Sequence, residues 1–359
     1  MTLRISSVRK LFKARIKERS EPRYTLRPAM PTGTPTAFGG IARSLRELCV
    51  QELIASTPAT FSRPAAAPGA ARILVLGNCQ APNLARHIAS GCEAAVLGVE
   101  MLIYHKFRRA FDILCEESDI IVTHQLSDMF RTISTAHLRD RYSNTKKIYT
   151  HTAIHFTGDH PDLVYLGGMG KRVQSPMGDY HSRITLRSFI AGESEEGCLA
   201  AFNEQTFADL GYFEAAEESF REWERREADA DLRSCAFARD IWRDEQLMMT
   251  VNHPRGRLLK HVSDQFLRAE GLPPAGYDHE LTPNLLLNGP IWPVHSLLMK
   301  HHGKTHATPS LMWNRGKALS HAEFVRRSYA MYRKVGRDAL LAAATGDQQT
   351  NVLGVTRNK

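Results

Sequence analysis

No run of about 18 apolar residues occurs in the 359-residue chain, so no segment reads as a membrane-spanning helix. The N-terminus lacks the apolar stretch of a secretory signal. Cysteine is sparse. Cys49, Cys79, Cys92, Cys115, Cys198 and Cys235 show no CxxC pair and no regular spacing, which argues against a disulfide framework and for a reducing compartment. No G-x-G-x-x-G follows a strand pattern and no G-x4-G-K-[ST] occurs, so the nucleotide-binding fingerprints are missing. His301, His302 and His306 have Gly303 and Lys304 between them and no carboxylate nearby in sequence. They read as a solvated loop, and no metal is expected. Aromatics make up 8% of the chain and do not interleave with its basic residues. Nucleic acid is therefore not expected as a partner.

What is present is an ordinary globular composition, 43% hydrophobic and 24% charged, with an uneven distribution of charge. The formal charge is +9. Residues 1–28 hold nine cations, from Arg4 to Arg27, against Glu18 and Glu21. The arm thus carries +7 and the remaining 331 residues only +2. Within it Ile5, Val8, Phe12 and Ile16 recur at near-helical spacing. That pattern suits a cationic amphipathic helix on an anionic membrane face, and equally a solvated basic tail. The expected location is cytoplasmic, peripheral at the inner face of the plasma membrane. A transit peptide is the second reading of the arm.

Residues 22–38 and 56–71 are rich in Pro, Ala, Thr and Gly and read as linkers around a helical pattern over 39–55. The expected domains are 1–71 as arm and linkers, 72–272 as catalytic domain, and 273–359 as a C-terminal extension packing on it. Strands are expected over 73–76, 119–123 and 147–150, and helices over 82–90, 107–117 and 132–142. This alternation predicts an α/β fold: a small parallel sheet followed by a largely helical C-terminal half. Further helices are expected over 195–210, 214–231, 236–250, 255–270 and 320–345, with 272–296 irregular.

The sharpest local feature is Ile73-Leu-Val-Leu-Gly-Asn-Cys-Gln80. An apolar strand stops at Gly77-Asn78 and delivers Cys79 just before a helix. Gly77 permits a tight turn and close backbone approach. A helix N-terminus is expected to lower the thiol pKa and favour the nucleophilic thiolate. The plainer alternative is a small buried side chain. The other strands end in His124-Gln125 and in His151, which is followed by His155. In an open parallel sheet the carboxyl ends of neighbouring strands meet at one crevice. Cys79, His124, Gln125, His151 and His155 can then converge, with an imidazole as base and Gln80, Gln125 or a backbone N–H as oxyanion donor. Asn252-His253 either caps the helix after it or points into the same crevice. The glycine-rich segment with Lys171 and Arg172 reads as an ordinary flexible loop, or, if a phosphorylated ligand binds, as its phosphate contact together with Arg183 or Arg187.

Four segments in order resemble the polysaccharide biosynthesis family named after the capsule protein WcbI. They are Gly77-Asn-Cys-Gln80 with its strand, Ile121-Val-Thr-His-Gln125, Ile154-His-Phe156 with His160-Pro-Asp162, and Thr250-Val-Asn-His-Pro254. The resemblance covers roughly 72–270. It implies an acetyltransferase that takes acetyl-CoA (coenzyme A) as co-substrate and a carbohydrate acceptor as partner, modifying a sugar hydroxyl in capsular or exopolysaccharide synthesis. Cys79 and Gln80 carry over directly, His155 as the first choice of base and His124 as the second. Two mechanisms fit: an acyl-enzyme on Cys79, or direct attack by the hydroxyl. Two other functions are alternatives: a thiol hydrolase or esterase with the same Cys-His site, and a non-enzymatic membrane-associated glycan-binding protein that needs neither Cys79 nor His155.

Overall fold

Arg72–Gly77 forms the central strand β2 because its apolar run is buried on both faces, as a parallel strand under two helical layers must be. In the computed structural model, residues 37–57, 60–65, 69–168 and 170–346 are described. The basic arm and its amphipathic pattern lie outside them. All described residues belong to one unit, Pro35–Lys359. Helix α1 spans Ala37–Ser56 and strand β1 Phe61–Arg63. After β2 come α2 (Ala81–Gly91), β3 (Ala95–Glu100), α3 (Tyr104–Glu117), β4 (Ile120–His124), α4 (Thr135–Tyr142) and β5 (Lys147–His151).

The sheet order is β1-β3-β2-β4-β5. β2 to β5 are parallel, and β1 caps the edge antiparallel to β3. The chain runs from β2 to one neighbour, β3, and then crosses to the other, β4. The topological switch point therefore lies at the carboxyl ends of β2 and β4, where ligands enter doubly wound sheets.

Side-chain alternation divides the core. Ile73 and Val75 pack with α2 and with α10 (Gly256–Ala269) on one face. Leu74 and Leu76 pack with α1, α3 and α4 on the other. Leu84 and Ile88 of α2 are fully buried, each stabilising by about 1.5–3 kcal/mol. A glycine sets the spacing of α2 on the sheet. A Cβ at Gly98 of β3 would stand 2.6 Å from the Ala85 methyl.

The C-terminal half is largely helical. It comprises α5 (Arg183–Ala191), α6 (Glu195–Ala200), α7 (Glu204–Asp209), α8 (Ala215–Glu227), α9 (Cys235–Ile241), α10, α11 (Ser296–His301), α12 (His321–Val335) and α13 (Arg337–Gly346). Short two-stranded pairs join Leu163–Tyr165 to Tyr180–Ser182, Met248–Thr250 to His253–Pro254, and Met312–Asn314 to Lys317–Leu319.

Several expectations change. β1 arises inside the segment read as a linker, and Leu53 of α1 is fully buried in the sheet's core. β3 was not expected, because Gly98 breaks the apolar run of a strand covered on both sides. The helix over 236–250 ends at Ile241, and Met248–Thr250 is strand, its side chains buried. The 195–210 helix is two short ones, each begun by a side-chain cap, Ser194 and Asn203. The last helix breaks at Gly336, where φ is +87°.

Candidate functional site

The parallel register sets Gly77 beside Glu100 and His124 beside His151 at the carboxyl edge of the sheet. The turn that follows β2 carries Cys79 there. Asn78 builds the turn. Its Oδ1 accepts from Gln80 N–H at 2.9 Å and its carbonyl accepts from Ala81 N–H at 3.0 Å. Gly77 is required by close approach, since a Cβ on it would lie 2.8 Å from His124 Cε1.

Cys79 is half-buried. Its thiol is pushed up to about 12 by burial and by the Glu100 carboxylate. The expected lowering at the helix N-terminus is thus reversed. Desolvation and a like charge outweigh the partial positive charge of a first helical turn.

Gln80 is fully buried. Its Nε2 donates to the carbonyls of Ile154 (2.7 Å) and Asn252 (2.9 Å), and its Oε1 accepts from Ile154 N–H at 3.0 Å. Both amide protons are thereby engaged, so Gln80 is a positioning residue and not an oxyanion donor. The residues it grips are the neighbours of His155 and His253.

The four histidines separate. His124 and His151 are buried and meet edge to face, 4.5 Å between centroids. His124 Nδ1 accepts from Asn78 N–H at 3.3 Å, which puts the proton of the neutral ring on Nε2. That nitrogen and both nitrogens of His151 have no partner among the described residues. Burial, then the charges of His151 and Arg226, holds His124 well below its ordinary value. Its place is under the turn, behind Gly77. His155 keeps a solvent-exposed ring, yet the protein packed around it and the nearby Arg226 guanidinium press its pKa down. Among the described residues no hydrogen bond joins it to Cys79.

His253 and Asn252 lie in a cluster whose two tyrosines, Tyr165 and Tyr180, the sequence did not signal. Asn252 Oδ1 accepts from the hydroxyls of Tyr165 (3.1 Å), Tyr180 and Thr250 (3.3 Å). His253 Nε2 is 3.5 Å from the Tyr180 hydroxyl, and its Nδ1 is buried without a partner among the described residues. Burial pushes it down to about 4. Gln80, the residue after Cys79, holds the Asn252 carbonyl at 2.9 Å, which ties the turn carrying the thiol to this cluster. Arg172 stacks its guanidinium 3.7 Å from the Tyr165 ring centroid, with Nη1 unpartnered among the described residues. Tyr165 and Tyr180 sit on three-residue strands too short to signal themselves by alternation.

Other expected residues fall elsewhere. Gln125 accepts from Thr152 Oγ1 at 2.8 Å and lines a cavity of about 340 Å³ with Arg139, Thr150 and Asp229. Lys171 is exposed in a tight turn whose Gly167 has φ +81°. Arg183 lies over the Tyr212 ring. His160 holds the Met248 carbonyl at 2.9 Å. Asp162 caps α5 through Ile184 N–H, and burial raises it to about 6. His301 stacks on Phe213, and His302 packs tilted against Trp242. Among the described residues no group of three His, Cys, Asp or Glu side chains is placed to hold a metal, and no helix is long and apolar enough to cross a membrane.

A solved structure of WcbI, described as a novel polysaccharide biosynthesis enzyme in its native form without a disulfide between coenzyme A and one of its cysteines, shares the fold. Its TM-score is 0.66 at 17% identity, over 79% of this chain and 97% of that one. No curated protein matches the chain. The family described as polysaccharide biosynthesis enzyme WcbI matches residues 72–275, more than half of the sequence, and the chain belongs to that family.

Proposed function

We propose that the protein transfers an acyl group from coenzyme A to a sugar hydroxyl during capsular or exopolysaccharide synthesis. The observation that carries this reading is the position of Cys79. It stands at the switch point of the sheet, and the next residue, Gln80, ties that turn to the Tyr165–Tyr180–Asn252–His253 cluster through the Asn252 carbonyl. The WcbI structure's description names coenzyme A and one of its cysteines, in a form without the disulfide between them, and this supports a coenzyme A ligand here. The residues present suit such a ligand. Arg172 Nη1 and His253 Nδ1 are buried polar atoms without partners among the described residues. Arg172 and Lys171 would meet phosphate oxygens, and Cys79 the thioester end.

The raised thiol pKa favours direct transfer over an acyl-enzyme, because a thiol protonated at neutral pH is a poor nucleophile. A neutral imidazole, His253 or His155, takes the proton from the sugar hydroxyl. The hydroxyl oxygen attacks the thioester carbonyl and forms the new C–O bond. The tetrahedral intermediate collapses by breaking the C–S bond, and the departing thiolate takes the proton back from the imidazolium.

Incubation with acetyl-CoA alone tests the choice. Direct transfer predicts no mass gain of one acetyl group on Cys79. An adduct that is absent from Cys79→Ser establishes the acyl-enzyme instead. A melting temperature unchanged at saturating coenzyme A would sink the transferase reading, since a ligand of the native state must raise it. The basic arm extends the proposal to location: residues 1–28 hold a cytoplasmic enzyme against an anionic membrane. Deleting them is expected to release the protein from anionic vesicles and leave transfer in solution intact.

A further inference from the structure

The second helical layer carries a basic groove away from Cys79. It is a cavity of about 430 Å³ between the hairpin Met312–Leu319 and helix α12. Two elements supply its cations: Arg315 and Lys317 from the hairpin, Arg326 and Arg327 from the helix. Leu319 and Met331 give it an apolar floor. Residues 312–334 contain six cations and a single carboxylate, Glu323, in a body that carries only +2 beyond the arm. Glu323 pairs with Arg326 and Arg327. One carboxylate does not balance four cations around one depression, and the remaining like charge repels unless an anion joins it.

The backbone adds an independent sign. Arg315 has φ +50° and Gly316 φ +76°, the two positive angles of a tight hairpin turn that normally takes Asn-Gly. An arginine in that first position costs stability that Asn would not. It keeps a guanidinium on the rim of the groove.

The groove is joined to the candidate site by one short segment. Asn314 Nδ2 donates to the Pro176 carbonyl at 3.2 Å, and Pro176 also lines the groove. Four residues on, Tyr180 gives its hydroxyl to Asn252.

We infer that this groove binds the oxyanion of an acidic sugar, so that the acceptor is an anionic glycan rather than a neutral one. The inference rests on the acyl-transfer reading for its word "acceptor", and the binding itself is measured without coenzyme A. Arginine forks match carboxylate and phosphate alike. The two sources are separated by probe: trigalacturonate for a sugar carboxylate, glucose 1-phosphate for a sugar phosphate, and maltotriose as the neutral control.

Titration calorimetry of the full chain with each probe is the experiment. Binding of either acidic probe, weakened roughly tenfold or more in Arg315→Asn and Lys317→Ala and kept in Lys317→Arg, bears the inference out. Arg315→Asn relieves the turn, so a loss of binding there cannot be unfolding. Equal binding of maltotriose, or no binding of either acidic probe, overturns it. Loss of coenzyme A binding in the same variants also overturns it, by giving the groove to the phosphates of that ligand. Failure of the wild type to bind coenzyme A, with acidic probes still bound, would fault the transferase reading and leave the groove standing.

Discussion

The side-chain amide of Gln80 and the backbone of Ile154 close a two-bond ring, with Nε2 donating to the Ile154 carbonyl at 2.7 Å and Ile154 N–H donating to Oε1 at 3.0 Å. The second amide proton reaches the Asn252 carbonyl at 2.9 Å. One buried side chain, next to Cys79 in the chain, thereby fixes the segments that carry His155 and His253. Gln80 thus ties the turn of Cys79 to the backbone on which His155 and His253 follow.

Gln80→Ala is expected to cost about 2–4 kcal/mol, because it leaves one buried N–H and two carbonyls without these partners. Urea denaturation measures it. Coenzyme A affinity is expected to fall as well, since the His253 and His155 segments lose their common tether. A variant within about 0.5 kcal/mol of wild type would show that water replaces the amide and that Gln80 is not the organiser.

The Cys79 thiol offers a separate test of the site's electrostatics. Burial raises its pKa first and the Glu100 carboxylate second. Glu100→Gln removes only the second cause. The pH at which iodoacetamide alkylation of Cys79 accelerates is expected to move down, yet to stay above the ordinary thiol value. An unchanged profile would mean that Glu100 is too well screened to act. A profile below the ordinary value would restore the activated thiolate and with it the acyl-enzyme route.

Much of this arrangement was legible in the sequence, and the physical reason is burial on both faces. Ile73–Leu76 and Ile120–Val122 announce themselves because a strand covered by helices on two sides must be apolar throughout. Their ends then place Cys79 and His124 together. β3 escaped because Gly98, needed for α2 to approach, interrupts its run. The role of Gln80 was misread for a related reason. A sequence displays the amide but not the two carbonyls, 74 and 172 residues away, that occupy it. Tyr165 and Tyr180 were invisible because three-residue strands carry no periodicity. The thiol is raised by burial first, and Glu100, which the unread strand β3 supplies, adds to that direction.

His151 predicts acid sensitivity. Burial pushes its pKa from 6.5 down to about 4, so the unfolded chain binds a proton before the folded one does. Stability is therefore complete above about pH 6.5 and falls as the pH drops toward 4, by about 3 kcal/mol from this residue alone. Neither ring nitrogen has a partner among the described residues. His151→Leu is accordingly expected to be nearly neutral at pH 7 and to flatten the acid limb of melting temperature against pH. Strong destabilisation at pH 7 would reveal a bound water or ligand that the ring holds in place.

Lys304 and Asp159 tie residues beyond 272 to the body of the fold. The pair spans 3.0 Å with both side chains fully buried. Burial acts to raise the Asp159 carboxyl, but Lys304, His160 and the Trp242 indole N–H together hold it below its ordinary value. Asp159 also accepts from the N–H groups of Leu247 and Met248 at 2.9 and 3.1 Å, in the strand that leads to Asn252. Lys304→Met strands that carboxylate and is expected to cost about 3–5 kcal/mol. Adding Asp159→Asn removes the stranded charge, so the double variant should be less destabilised than the sum of the two single ones. Denaturation midpoints of the four proteins measure the coupling. Simple additivity would mean that the two charges are independently solvated and that the C-terminal segment is held by its apolar contacts alone.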